Sequence, residues 1–117
     1  MTDQPHLDEE ALAELQDVME DEFDVLIQTY ISDSSDRLAT LKTTLEAGDM
    51  EGFSRCAHSF KGSSINIGVP RLGALCRDAE LAGKSGDLAQ AGALVARIEE
   101  EFRVIQARLE TLLVQSG

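Results

Sequence analysis

Apolar residues return every three or four positions along nearly the whole chain. Leu12, Leu15, Met19, Phe23, Leu26 and Tyr30 keep one helical phase, and no Gly or Pro falls between Pro5 and Gly48. Asp8 is placed to cap a first helix, with Glu9 and Glu10 in its first turn. Period alone would draw a single helix from Asp8 to Ala47, about 60 Å long at 1.5 Å per residue. No later segment could cover such a length. A break is therefore expected near Glu20-Asp21-Glu22, giving a short first helix and a long second one.

The second helix carries Phe23, Leu26, Ile27, Tyr30, Ser34, Leu38, Leu41 and Leu45 on one face and should end at Gly48. Asp49 is a cap for a third helix, with Phe53, Cys56, Ala57, Phe60, Ser64 and Ile67 inward and Gly68 closing it. Pro70 suits the first turn of a fourth, where its missing N–H costs nothing. Leu72, Leu75, Cys76, Ala79 and Ala82 form that helix's inner face. Gly83-Lys84-Ser85-Gly86-Asp87 reads as a turn. A last helix runs from about Leu88 to Gln115, with Val95, Ile98, Phe102, Ile105, Leu109 and Leu112 inward. The pattern predicts an all-α fold: an antiparallel up-down four-helix bundle with the short first helix capping one end.

The length, 117 residues, is that of one domain spanning 1–117, with residues 1–7 expected to be a flexible N-terminus. Aromatics are 4% and Trp is absent, so the core must be aliphatic. No apolar stretch approaches the roughly 20 residues that span a bilayer. No basic-then-apolar leader opens the sequence, which predicts a cytoplasmic protein with Cys56 and Cys76 as reduced thiols. Both cysteines fall on inward faces of consecutive helices and read as small core residues, a redox switch being the alternative. His6 reads as a terminal surface residue.

A net charge of −12 argues against nucleic acid and anionic membranes as partners. The charge is uneven. Between Ser54 and Lys84 five basic residues (Arg55, Lys61, Arg71, Arg77, Lys84) face two acidic ones (Asp78, Glu80), so the rest of the chain carries −15. Chance clustering on solvated faces and a local anion site on an acidic body both fit this.

The basic segment contains His58-Ser59-Phe60-Lys61-Gly62-Ser63-Ser64. His58 lies about 150° from the centre of the third helix's apolar face, so it points to solvent. Gly62, at i+4, is a mid-helix Gly that costs about 1 kcal/mol against Ala. It also faces outward, so core packing does not explain it; a cleared approach to the imidazole does. Lys61 at i+3 can meet a phosphoryl oxygen as a point charge, and Arg55 at i−3 could add a second cation. Ile65 is an exposed apolar residue on nearly the same face. A neutral imidazole keeps a nitrogen lone pair at pH 7 and is a nucleophile without a dedicated base. No phosphate-cradling loop accompanies it. Gly83-Lys84-Ser85 resembles the end of a Walker A motif, but Asp78 stands where that motif needs Gly. Any phosphoryl group must then come from another protein.

Ala57-His58-x-Phe60-Lys61-Gly62-Ser63-Ser64, followed by Asn66-x-Gly68 and by Leu72, Cys76 and Glu80, resembles the signature of histidine-containing phosphotransfer (HPt) domains. The resemblance runs from the second helix onward. It implies a four-helix bundle with an exposed histidine phosphorylated on Nε2, so that His58 is the phospho-acceptor, Lys61 supports the phosphoryl charge and Gly62 gives access. The implied partners are the receiver domains of a hybrid sensor kinase and a response regulator, whose aspartate and Mg²⁺ belong to them; no cofactor or metal is expected on this chain, which should be a monomer. Arg55, Ser59 and Ile65 are the expected partner-binding residues. Phe60 stands where Leu is commoner, and Ile65 is larger than the family's usual small residue. The chain looks like a free-standing bacterial phosphorelay intermediate without an ATP site. A non-phosphorylated helical adaptor, binding through the His58 face, is the alternative.

Overall fold

The computed structural model describes residues 5–116. Its helices are α1 (Glu9–Met19), α2 (Phe23–Ala47), α3 (Met50–Ile67), α4 (Pro70–Ser85) and α5 (Leu88–Ser116). A 3₁₀ turn, Glu20–Glu22, separates α1 from α2. The Asp8 carboxylate accepts from Ala11 N–H at 3.1 Å and starts α1. At Glu20 the backbone turns to φ 50°, ψ −116°, which ends the helix where a single continuous rod would have outrun its partners. α1 then lies over the end of the bundle, with Leu12 buried and packed near Gly68.

The three remaining turns share one construction. Gly48, Gly68 and Gly86 each take positive φ and close the preceding helix. Asp49 and Asp87 then accept from Gly52 N–H and Gln90 N–H, both at 3.0 Å, to open α3 and α5. Two-residue turns between long helices force neighbours to run antiparallel. α2 packs on α3 and α5, and α4 packs on the same two, while the backbones of the diagonal pairs stay apart and meet only through side chains in the core. This is the expected four-helix bundle. Ile27, Leu41, Phe53, Phe60, Leu72, Ile98, Ile105 and Leu109 fill its centre, and the rings of Phe60 and Phe102 meet edge to face at 6.4 Å.

α3 and α4 form the tightest seam. A Cβ on Gly83 would stand 3.0 Å from the Phe53 ring and 3.2 Å from Ser54 Cβ, and one on Gly73 would stand 2.9 Å from Ile65 Cγ1. Two glycines on α4 thus let its backbone lie close against α3. That closeness brings the middle of α4 within side-chain reach of His58.

The N-terminal segment differs from expectation. Residues 1–4 lie outside the described residues, but Pro5–Asp8 are laid down on the bundle. Pro5 O accepts from Arg71 N–H at 3.2 Å, Asp8 N–H donates to Gly68 O at 2.8 Å, and Leu7 packs against the core. His6 is not a loose surface residue. Its Nδ1 lies 2.6 Å from Glu101 Oε2, and Arg71 Nη1 stands 3.1 Å from its Nε2. Glu101 is a buried carboxylate on α5, and burying a carboxylate demands a partner. Cys76 is buried and Cys56 half-buried, both as free thiols; burial raises both above the ordinary thiol range. No helix among the described residues is long and apolar enough to cross a membrane.

Candidate functional site

His58 stands on the outer side of α3 with 65% of its side chain exposed. Helical period requires this, because Ala57 and Phe60 beside it are wholly buried. The ring is nevertheless fixed. Its Nδ1 lies 3.0 Å from Oε2 of Glu80, a residue of α4 whose side chain is only 10% exposed. Lys61 Nζ donates to the other oxygen, Oε1, at 3.0 Å. Lys84 Nζ, one turn beyond Glu80, pairs with Oε2 at 3.2 Å. Three donors from two helices therefore converge on one carboxylate.

Electrostatics then assign the imidazole tautomer. Burial works against the charged form of Glu80, but the hydrogen bonds from Lys61, Lys84 and His58 outweigh it and bring the carboxyl down to about 2. At neutral pH Glu80 is ionised and accepts only. Nδ1 of His58 must carry the proton it shares with Glu80. In the neutral ring, Nε2 then holds the lone pair.

The remaining expected residues are placed as follows. Gly62 has open space where a Cβ would be, with nothing within 4 Å, so no contact inside the protein demands glycine there. Lys61 stands at the edge of α3's apolar face, about 85° from its centre. Its side chain, 24% exposed, folds across the seam to Glu80. Arg55 is exposed and paired with Glu51 at 2.6 Å. It shares with His58 a cleft of about 780 Å³, walled by Ser54, Glu80, Gly83 and Lys84. Ser59 is exposed, its hydroxyl accepting from Arg37 Nε at 3.2 Å. Ile65 is exposed and lies over Gly73, outside the lining of that cleft.

Glu80 and Lys84 are the site residues that reading the pattern left without a role. The sequence does hold a signal. Leu72, Cys76 and Glu80 follow at i, i+4 and i+8, which sets a carboxylate in the phase of α4's buried stripe. A charge in that phase must be paired. Among the described residues no group of three or more His, Cys, Asp or Glu side chains is disposed to hold a metal ion.

Residues 25–113 match the family model described as the Hpt domain. Among solved structures the chain is similar to histidine-containing phosphotransfer protein B from Pseudomonas aeruginosa PAO1, with 42% identity and a TM-score of 0.89 over 92% of this chain and 93% of that one. It is also similar to a putative histidine-containing phosphotransfer protein from rice (18% identity, TM-score 0.84, 92% of this chain and 81% of that one). The maize histidine-containing phosphotransfer protein ZmHP2 gives 20% identity and a TM-score of 0.83, over 92% of this chain and 83% of that one. At those identities the plant proteins share the fold. No curated protein sequence matches.

Proposed function

We propose that this chain, which belongs to the Hpt domain family, carries the phosphoryl group on Nε2 of His58 between two receiver domains. Its family role is histidine phosphotransfer in a two-component phosphorelay, as a phosphocarrier without an ATP site. The finer reading names the donor as the receiver domain of a hybrid sensor kinase and the acceptor as a response regulator, with this chain a cytoplasmic monomer that needs no cofactor of its own. The observation that carries it is the Glu80–His58 hydrogen bond, which commits Nδ1 to its proton and leaves Nε2 as the nucleophile.

The step balances with these residues. The Nε2 lone pair attacks phosphorus of a receiver's aspartyl phosphate. A P–N bond forms, the P–O bond breaks, and the aspartate leaves with that electron pair as a carboxylate. The ring, still holding its Nδ1 proton, becomes cationic, and ionised Glu80 beside it offsets that charge. Lys61 balances Glu80 in the resting site and is at hand for the phosphoryl oxygens. Transfer onward is the same step reversed onto a second aspartate. Gly62 keeps the α3 surface low one turn from the ring, so two receiver domains can approach in succession.

The test is incubation with a phosphorylated receiver domain. Wild type should take the phosphoryl group, and His58→Ala should keep its helical circular dichroism and take none. Binding of the receiver without any transfer would favour an adaptor instead.

A further inference from the structure

We propose that Lys84 is a second phosphoryl-binding cation, its ammonium drawn from Glu80 to the phosphoryl group when His58 is phosphorylated. This rests on the phosphocarrier reading above.

The argument begins with charge. Glu80 carries one negative charge and meets two ammonium groups, Lys61 on Oε1 and Lys84 on Oε2. One lysine suffices to neutralise a buried carboxylate. The second leaves a net positive charge beside an uncharged, exposed ring. A phosphoryl group adds close to two negative charges. With the phosphorylated ring cationic and both lysines present the site then balances to about 0, and without Lys84 to about −1.

Geometry selects which lysine moves. Lys61 is the more buried of the two, at 24% exposure, while Lys84 is 62% exposed. Lys84 also shares its carboxylate oxygen with the imidazole. Nδ1 at 3.0 Å and Nζ at 3.2 Å from the same Oε2 place ring and ammonium within about 6 Å of each other. A four-carbon stem with rotatable bonds covers the rest. Lys84 lines the cleft that His58 opens onto, as does Arg55, but Arg55 is held by Glu51.

A purely structural role competes with this. Glu80 and Lys84 form an i, i+4 pair in the last turn of α4, where a cation is favourable in any case. The two roles separate by ³¹P NMR. The whole protein is phosphorylated with phosphoramidate and the phosphohistidine signal is followed against pH in wild type, Lys84→Gln and Lys84→Arg. Loss of a cation at the phosphoryl group should let Lys84→Gln bind the phosphoryl proton roughly 2- to 10-fold more tightly than wild type, with Arg restoring most of the difference. A Lys84 that stayed on Glu80 would act only at longer range and should move that titration by less than about 2-fold. An unchanged curve in a Lys84→Gln protein with wild-type circular dichroism overturns the assignment and leaves the phosphocarrier reading standing. Absence of any phosphohistidine signal in wild type overturns both.

Discussion

Glu80 and His58 are 22 residues apart and on different helices, yet the carboxylate of one sets the proton of the other. Oε2 of Glu80 stands 3.0 Å from Nδ1 of His58, and the buried acid holds an exposed ring in one orientation and one tautomer. The seam that allows this is closed by Gly73 and Gly83, so the reactivity of α3 depends on how closely α4 lies against it.

Glu80→Ala should therefore slow phosphoryl transfer without removing the acceptor. The hydrogen bond lost is to a charged group, worth about 1.5–3 kcal/mol, and full expression of it in the transition state is roughly a 10- to 150-fold loss in rate. Glu80→Gln keeps a carbonyl acceptor for Nδ1–H but not the charge, and should fall between Ala and wild type. Single-turnover transfer to a receiver measures the rate. The ¹⁵N shifts of the imidazole report the tautomer, which should be Nδ1–H in wild type and mixed in Glu80→Ala. Transfer by the Ala variant at the wild-type rate would remove Glu80 from the mechanism.

The same carboxylate gives acid sensitivity with a definite sign. Folded Glu80 titrates near 2 against 4.5 for an unperturbed carboxyl. A depressed value means that the unfolded chain binds the proton first, so acid favours unfolding. The stability contributed by ionised Glu80 is complete above about pH 4.5 and is lost as the pH falls toward 2. Urea unfolding at a series of pH values should show wild type losing more stability across that window than Glu80→Gln. Parallel losses in the two proteins would contradict the assignment.

The bundle was legible in the sequence because each device that makes it is local. Gly48 and Gly68, the Asp8 and Asp49 caps and the apolar phases of α2 to α5 are read without knowing what packs on what. The turn expected over Gly83–Asp87, by contrast, shrinks to Gly86 and Asp87, because Gly83, Lys84 and Ser85 continue α4 against α3. His58 and Gly62 are legible for the same reason, since each stands out against its own helix. What escaped needs two elements at once. Lys61 has no ion-pair partner to be read from α3 alone and is drawn across the seam because α4 offers Glu80. His6 reads as terminal and loose until α5 supplies Glu101 and α4 supplies Arg71. Helical period fixes which way a residue leaves its helix, and ion pairs across a seam then bend long polar side chains back.

The turn between α1 and α2 carries a cost of its own. Glu20 holds φ 50° with an exposed side chain, in a region that glycine occupies freely and other L-residues do not. Glu20→Gly should stabilise the protein by about 0.5–1 kcal/mol, the relief of strain exceeding the added freedom of the unfolded chain. A rise in Tm of a few degrees would register it. Phosphotransfer should not change, because Glu20 lies in the turn preceding α2 and the site is built by α3 and α4. A fall in stability would mean that the Glu20 side chain has a stabilising role that its exposure conceals.

Gly62 separates access from chemistry. Nothing within 4 Å opposes a Cβ there, so replacing it should not disturb packing, and Ala is the better helix former by about 1 kcal/mol. Gly62→Ala should accordingly be as stable as wild type or more so. Gly62→Gln sets a long polar side chain on the same outer face, one turn from His58, while leaving the Glu80 bond to Nδ1 in place. It should fold at least as well as wild type and exchange phosphoryl groups poorly with receiver domains, since their surface must come down over that turn of α3. Phosphoramidate, which is small and needs no docking surface, should phosphorylate His58 in the Gln variant at close to the wild-type rate. The comparison uses both donors on both proteins. If Gln slows the small donor as much as it slows the receiver, the glycine serves the environment of the imidazole itself and the access argument fails.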